Sequence, residues 1–419
     1  MKNTIKIFFL SLIFFNCSDD ELKPEQEQID LSEEVVVYNP NLFEDSYVFA
    51  IENGGTKSYL LNKEGFKVKE WSFTSNLGND IEILPDGKLL GMFKAENPVF
   101  NFGGFGGIIK ILNTDGSVNW EYEIASSDYL AHHDLKQLPN GNIVCLVWER
   151  IPSATAIQLG VNTTNDIFTE KIVEINPSNN QVVWEWRSID HIVQEQNASS
   201  TTFGSVNQNP QLININYNNA PNGNYMHANG IEYDPVKDVL FVSVNFYSEI
   251  WVIDHSTSTL QAASHTGGNY NKGGDLIYRF GNPETYNNVG QRLFHNNHAP
   301  ILISENYPGA NNLLVYGNGS NISQSTVYEF ALPVTFSLTP NVNNEPTVVW
   351  SFTDPNLYNE RISGAVRLKN GNTLIAEGDY GFWEVTQNKD IAWKYNGSTS
   401  FWRCYGYAKN SPQIQSLGL

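Results

Sequence analysis

Apolar and polar residues alternate along this chain in short runs, each closed by a tight polar turn, which is the pattern of half-buried β-strands. Two phrases recur. The first is a strand, a turn and a second strand: IEILPDGKLLGMF, LKQLPNGNIVCLVW, IEYDPVKDVLFVSV, ILISENYPGANNLLVYG and VRLKNGNTLIAEG. Asp-Gly or Asn-Gly between alternating apolar residues is the strongest short hairpin signal. YVFAIENGGTKSYLLNKEG reads as a sixth, degenerate copy. The second phrase is a turn and a strand ending in aromatics, at Trp71, Trp120, Trp184 with Trp186, Tyr278 with Phe280, Trp350 and Trp393. No segment of the body has the period of an amphipathic helix. Aromatic-tagged four-stranded units 40–90 residues apart indicate an all-β protein, a β-propeller, and six tags predict six blades. Each tryptophan is then blade-to-blade packing. Irregular insertions near 150–170, 195–225 and 256–290 are expected to gather on one face and shape a site over the central channel.

The N-terminus breaks this pattern. MKNTIKIFFLSLIFFNC is a short cationic stretch, an apolar run from Ile7 to Phe15, and Cys17. The run is too short to span a bilayer as a helix and matches a secretory signal peptide. A Cys directly after it resembles the lipobox of bacterial lipoproteins, although Phe14 and Asn16 depart from that pattern. The organisation expected is a signal peptide over 1–16, a lipidated Cys17 with an acidic tether over 17–40, and a propeller over 41–419. The chain is thus expected to be exported, an outer-membrane lipoprotein facing the periplasm or cell surface, touching membrane only through its lipid.

Composition narrows the function. The 419 residues carry a formal charge of −20, with 45 acids against 25 bases. Eight acids against one Lys lie in 18–34 and two Lys in 1–16, which leaves −15 from Val35 onward. An acidic chain is a poor nucleic-acid binder. Three Cys exclude a disulfide scaffold, and Cys145 and Cys404 read as buried thiols.

The histidines carry the chemistry. His132, His133, His227 and His298 precede the strand–turn–strand phrase, whose first strand is the innermost of a propeller blade. Three blades would therefore each point a His at the channel mouth. Such a set binds a metal, or supplies a nucleophile with anion-stabilising partners, or lines a wet channel. The companions Asn229, Asn296 and Asn297 are hydrogen-bonding groups and poor metal ligands, so no metal and no cofactor are expected. The Asp190-His191 and Asp254-His255 pairs, with His265, read as loop-fixing contacts, and Asp275 as turn chemistry.

These residues are also familiar. The stretch from HANGIEYDP through KGGDLIYRFGNPETY to LFHNNHAPILISENYPGANNLLVYGNG, with HHDLKQLPNGN and SGAVRLKNGNTLIAEGDYGFWEVT, resembles the bacterial arylsulfate sulfotransferase family over roughly residues 45–410. That resemblance implies a six-bladed propeller. It also implies cofactor-independent transfer of a sulfo group from a phenolic sulfate ester to a phenol through a sulfohistidine. Counting back from PGANN places the nucleophile at His298, with His295 as the alternative. It further implies His227 and Asn229 as a His-x-Asn motif, His132 and His133 as a His-His-Asp motif, and Asn297 beside the substrate; Arg403 matches a family position and reads equally as a charge for the substrate or as a structural ion-pair partner. The chain departs from the family near Asn245, where a sulfate-binding Arg is expected, and at Gly381-Phe382, where many members have Gly-Arg. Tyr225 and Phe246 each read equally as a stacking partner of the aryl group or as core packing. His227 and one of the His132/His133 pair are expected to act as imidazolium ions on the sulfate oxygens. Two other classes compete: a non-catalytic tethered propeller that binds glycan or protein, and a quinone-dependent dehydrogenase propeller. The second would want more blades and an acidic calcium site, and neither is evident.

Overall fold

The computed structural model describes residues 29–419; the leader, Cys17 and the first part of the tether lie outside them. Leu31–Leu419 fold as a six-bladed β-propeller. Five blades follow one plan, with four antiparallel strands in chain order from the axis outward. Blade 2 begins with Leu77–Ile83, blade 3 with Tyr129–Gln137, blade 4 with Ala228–Asp234, blade 5 with Asn297–Leu302 and blade 6 with Gly364–Arg367. Each of these opens a strand–turn–strand phrase, and each aromatic tag falls on the last strand of its blade's own run.

Blade 1 differs. Its innermost strand is the C-terminal Phe401–Ala408, which pairs with Ser46–Glu52. YVFAIENGGTKSYLLNKEG is therefore the second and third strands of blade 1, not a sixth inner hairpin. A ring needs its last blade joined to its first, and here the join is made twice. While Phe401–Ala408 closes the inside, Val35–Tyr38 pairs with Ile391–Asn396 and adds a fifth strand outside blade 6. The propeller thus starts inside the stretch expected to be tether, because VVVY satisfies an edge that would otherwise stay unpaired.

Between blades, apolar side chains from facing sheets interlock. Blades 3 and 4 share Val144, Leu146, Trp184, Trp186, Leu240, Val242 and Trp251, all buried. Cys145 and Cys404 are buried free thiols in different clusters. At the closing seam the buried Lys63 of blade 1 meets Glu384 of blade 6 at 2.5 Å. Glu384 also accepts from the Asn372 amide and the Glu44 N–H, both at 2.7 Å. The Trp393 indole N–H donates to the Lys63 carbonyl at 2.7 Å, and the Lys63 ammonium lies over the Trp393 ring.

A buried ion loses far more from an unpaired partner than an exposed one does. Glu384→Ala should therefore lower stability by about 3–5 kcal/mol. Breaking the exposed Lys57–Glu70 pair with Lys57→Ala should change it by less than about 1 kcal/mol. Denaturant midpoints of the two variants check the difference.

Candidate active site

The inner strands do not run smoothly to the mouth of the channel. In blade 3 the pairing of Leu135 with Cys145 and of His132 with Leu146 leaves His133 and Asp134 in a bulge. A bulge turns successive side chains away from the strict alternation of a strand. His133 faces the cavity above and Asp134 the axis below. His133 takes a left-handed φ of 53°, and His227 one of 55°. Such backbone conformations cost non-glycine residues on the order of 1 kcal/mol or more and cluster at functional sites.

A cavity of about 430 Å³ opens at this end of the channel. His133, His227 and His298 line it together, with Phe246, Trp402, Asn79, Asn245, Asn296, Ser320, Glu360 and Arg361 among the others. The three histidines enter from unlike places along their strands. His133 lies within its strand, His227 just before Ala228–Asp234, and His298 second in Asn297–Leu302. The His133 and His227 rings meet edge to face at 4.8 Å, and Trp402 lies 5.8 Å from both His133 and His298.

Each imidazole has one nitrogen engaged. His298 Nδ1 is 2.7 Å from Asn318 Oδ1. The Asn318 amide nitrogen donates to the carbonyls of Asn359 and Ile362, at 2.8 and 3.1 Å, so its oxygen must face His298. The proton of neutral His298 is therefore on Nδ1, and the lone pair is on Nε2. His227 Nδ1 contacts the Asn224 amide at 2.7 Å. His133 Nδ1 contacts His132 Nδ1 at 2.8 Å, and His132 Nε2 contacts Glu170 Oε2 at 3.0 Å. The Glu170 carboxylate only accepts, so neutral His132 donates from Nε2 and receives the His133 Nδ1–H. His133 too is left with its Nε2 lone pair. Gly104 lies so close that a Cβ there would overlap His133 Nε2.

Burial sets the charge state. It pushes His298 and His227 down to about 3, and His133 well below the ordinary imidazole range. In His298 it outweighs the upward pull of Asn318, and nearby Arg403 adds to the fall. All three are neutral at neutral pH, which corrects the expectation of standing imidazolium ions.

Beneath the cavity is a buried ionic plug. Arg403 donates to Asp134 at 2.7 Å and to the Asn229 carbonyl at 2.8 Å, lies 3.7 Å from Asp80, and sits against Trp402. Burial and neighbouring Asp134 hold Asp80 up at about 8, despite Arg403. Arg403 is therefore the counter-ion of Asp134, with the Asp80 carboxyl largely protonated beside it at neutral pH, and it does not line the cavity. Asn229 and Asn297 are also turned away: the Asn229 amide donates to the Asn297 carbonyl, and the Asn297 amide to Ser243 Oγ and the Glu249 carbonyl. His295 lies outside the lining, with its carbonyl accepting from Ser320. His132 stacks on Trp148 at 3.9 Å, so His133 is the channel-facing member of the pair. Phe246 stacks on His227 at 4.6 Å in the lining, whereas Tyr225 is core. The insertions at 150–170, 195–225 and 256–290 place no residue in the lining.

Two site residues escaped the sequence reading. Glu170, on the third strand of blade 3, carries no local signal. Arg361 precedes the inner strand of blade 6, the same placement that singled out the histidines. Among the described residues it is the one guanidinium or ammonium lining the cavity, and it lies at the exposed rim beside Glu360. Asn245, where the expected Arg is missing, does line the cavity; its side-chain oxygen accepts from Asn296 at 2.8 Å.

The match to the arylsulfotransferase (ASST) family model spans residues 21–401. The chain belongs to the arylsulfotransferase family. It is an arylsulfate sulfotransferase, and its partners are those the family implies, an aryl sulfate donor and a phenol acceptor. No curated protein matches it. Among solved structures it is similar to a functionally unknown protein from Desulfotomaculum acetoxidans, at 11% identity and TM-score 0.45, covering 86% of this chain and 98% of that one. It is also similar to the Myceliophteria thermophila Cps50 (Swd1) β-propeller domain, at 10% identity and TM-score 0.42, covering 88% and 87%. Neither likeness bears on activity.

The two arginines of the sulfotransferase should separate cleanly. Arg403→Gln should lower stability by about 3–5 kcal/mol, since it strands Asp134. Arg361→Gln should leave the denaturant midpoint unchanged and raise KM for the aryl sulfate with kcat nearly kept.

Proposed function

We propose that sulfo transfer in this enzyme runs through a sulfohistidine at His298. The observation that carries the reading is the Asn318 contact, which holds the Nδ1 proton and leaves a neutral Nε2 nucleophile. In the first half-reaction Nε2 attacks sulfur, the N–S bond forms, the S–O bond to the aryl group breaks, and the phenolate leaves. In the second, the acceptor phenol oxygen attacks sulfur as the N–S bond breaks, and the phenolic proton passes to a base.

His133 is the proton carrier of this scheme. A bound sulfate ester brings negative charge against the imidazoles and favours protonation of His133 Nε2. The resulting imidazolium is backed through His132 by the Glu170 carboxylate, much as a carboxylate steadies the histidine of a hydrolase triad. Its proton goes to the departing phenolate and is regained from the acceptor phenol. Neutral amides of Asn79 and Asn245, with Arg361 at the rim, meet the sulfuryl oxygens, and Asn296 holds Asn245 in place through its own amide. Phe246, 40% exposed, offers a face to the aryl ring.

Intact-mass measurement after incubation with an aryl sulfate and no acceptor should show one added sulfo group on the wild type and none on His298→Ala. An adduct and full turnover in that variant would refute the assignment. His133→Gln should still take the adduct, but slowly, with transfer reduced by about 10²–10⁴-fold.

The pH profile provides a separate check. His298 has a folded pKa of about 3 in the free enzyme, so its basic form persists far below pH 6.5. The acid limb of kcat/KM, which reports the free enzyme, should therefore lie well below 6.5 while the protein stays folded. A limb at 6.5 would contradict the buried neutral imidazole.

A further inference from the structure

We infer a second ligand site, for a zinc-class divalent cation, on the flank of blades 3 and 4. His191, His265 and Asp275 meet there, and none of them lines the catalytic cavity. Their ligand atoms lie within 4.8 Å of one another, and one oxygen of Asp275 faces both imidazoles, 2.8 Å from His191 Nδ1 and 2.7 Å from His265 Nδ1.

The protonation pattern at His191 calls for a cation. Its Nε2 is 2.7 Å from the Ala262 carbonyl, which can only accept, so Nε2 carries a hydrogen. With that hydrogen on Nε2, Nδ1 and the Asp275 oxygen 2.8 Å away can be joined only by a proton or a metal ion. A positive charge must lie between them, and a metal ion accepts both lone pairs together with that of His265. An imidazole whose second N–H is held by a backbone carbonyl is also the usual outer-shell arrangement of a metal-bound histidine.

The surroundings keep the three ligands in register. The Trp186 ring lies parallel to His191, and the Trp186 indole N–H donates to the Gly274 carbonyl at 2.7 Å. Gly274 approaches so closely that a Cβ would sit 2.0 Å from the Ala262 oxygen and 2.5 Å from His191 Nε2. Two His nitrogens and one carboxylate, with water completing the set on the exposed His265 side, make a three-ligand zinc site with an open position. Opening the 2.7–2.8 Å contacts to the spacing of a tetrahedral ion takes a few tenths of an ångström. Exposed His265 supplies it on its own side, and a turn of the Asp275 carboxylate supplies it toward the fixed His191 ring. The ion would staple the 256–290 insertion to the end of blade 3.

Calorimetric titration of Zn²⁺ into the untagged, chelator-stripped protein tests this. One equivalent should bind, Co²⁺ should give visible d–d absorption at the same stoichiometry, and metal should raise Tm. His265→Ala, an exposed change that leaves the fold intact, should bind more than about 100-fold more weakly, because losing a ligand exceeds the 10–100-fold effect of an outer-shell partner. Asp275→Asn should behave alike. No stoichiometric binding, or equal binding by His265→Ala, would overturn the proposal and assign the positive charge to a proton on His191.

Discussion

The guanidinium of Arg403 is the interaction on which the rest of the molecule depends. It comes from the last strand, which is the inner strand of blade 1, and reaches Asp80 of blade 2, Asp134 of blade 3 and the Asn229 carbonyl of blade 4. Asp134 in turn accepts the Ile231 N–H of blade 4. Four of six blades are tied to one cation at the axis. There is no room for more: a Cβ on Gly230 would press on Pro300 and Arg403, and one on Gly364 on Ala299 and Arg403. The plug converts an open channel into a floored cavity, and the imidazoles stand on that floor.

The same plug resolves an electrostatic puzzle. The described propeller is acidic, yet its ligand is an anion, so long-range attraction works against binding. The positive charge of Arg403 is spent on Asp134 and discourages protonation of the histidines above it. The cavity therefore offers neutral donors and lone pairs, with one exposed guanidinium at its edge. Such a pocket favours an ester whose charge is spread over several oxygens and whose aryl body packs on aromatic rings.

Much of this was legible in the chain. The six aromatic tags fall on six outer strands because those rings fill the gaps between blades. The histidines fall near inner-strand starts because that end of the inner strands opens on the cavity, although each enters at a different place along its strand. What failed was the finer geometry. Arg403, Asn229 and Asn297 have the right position but the wrong direction, since bulges at the strand starts decide which side chains point up. His191 bonds Asp275 rather than its neighbour Asp190, and His255 bonds Asp238 and Glu174 rather than Asp254. Adjacent residues on a chain seldom face each other, and the partners come from elsewhere: Asp275 from an insertion, Asp238 from the blade 4 hairpin turn and Glu174 from the third strand of blade 3. Glu170 was invisible because its meaning depends on a contact across blade 3, from its third strand to His132 on its first.

The closure by Phe401–Ala408 has a consequence for biosynthesis. Trp402 and Arg403, floor and plug of the cavity, come after every other cavity residue in chain order, and His133 precedes them by more than 260 residues. Until they arrive, blade 1 lacks its inner strand and the cavity has no bottom. A ribosome-bound chain can thus assemble blades in succession yet present no competent pocket. Closing the ring and completing the cavity fall to one strand, through its pairing with Ser46–Glu52.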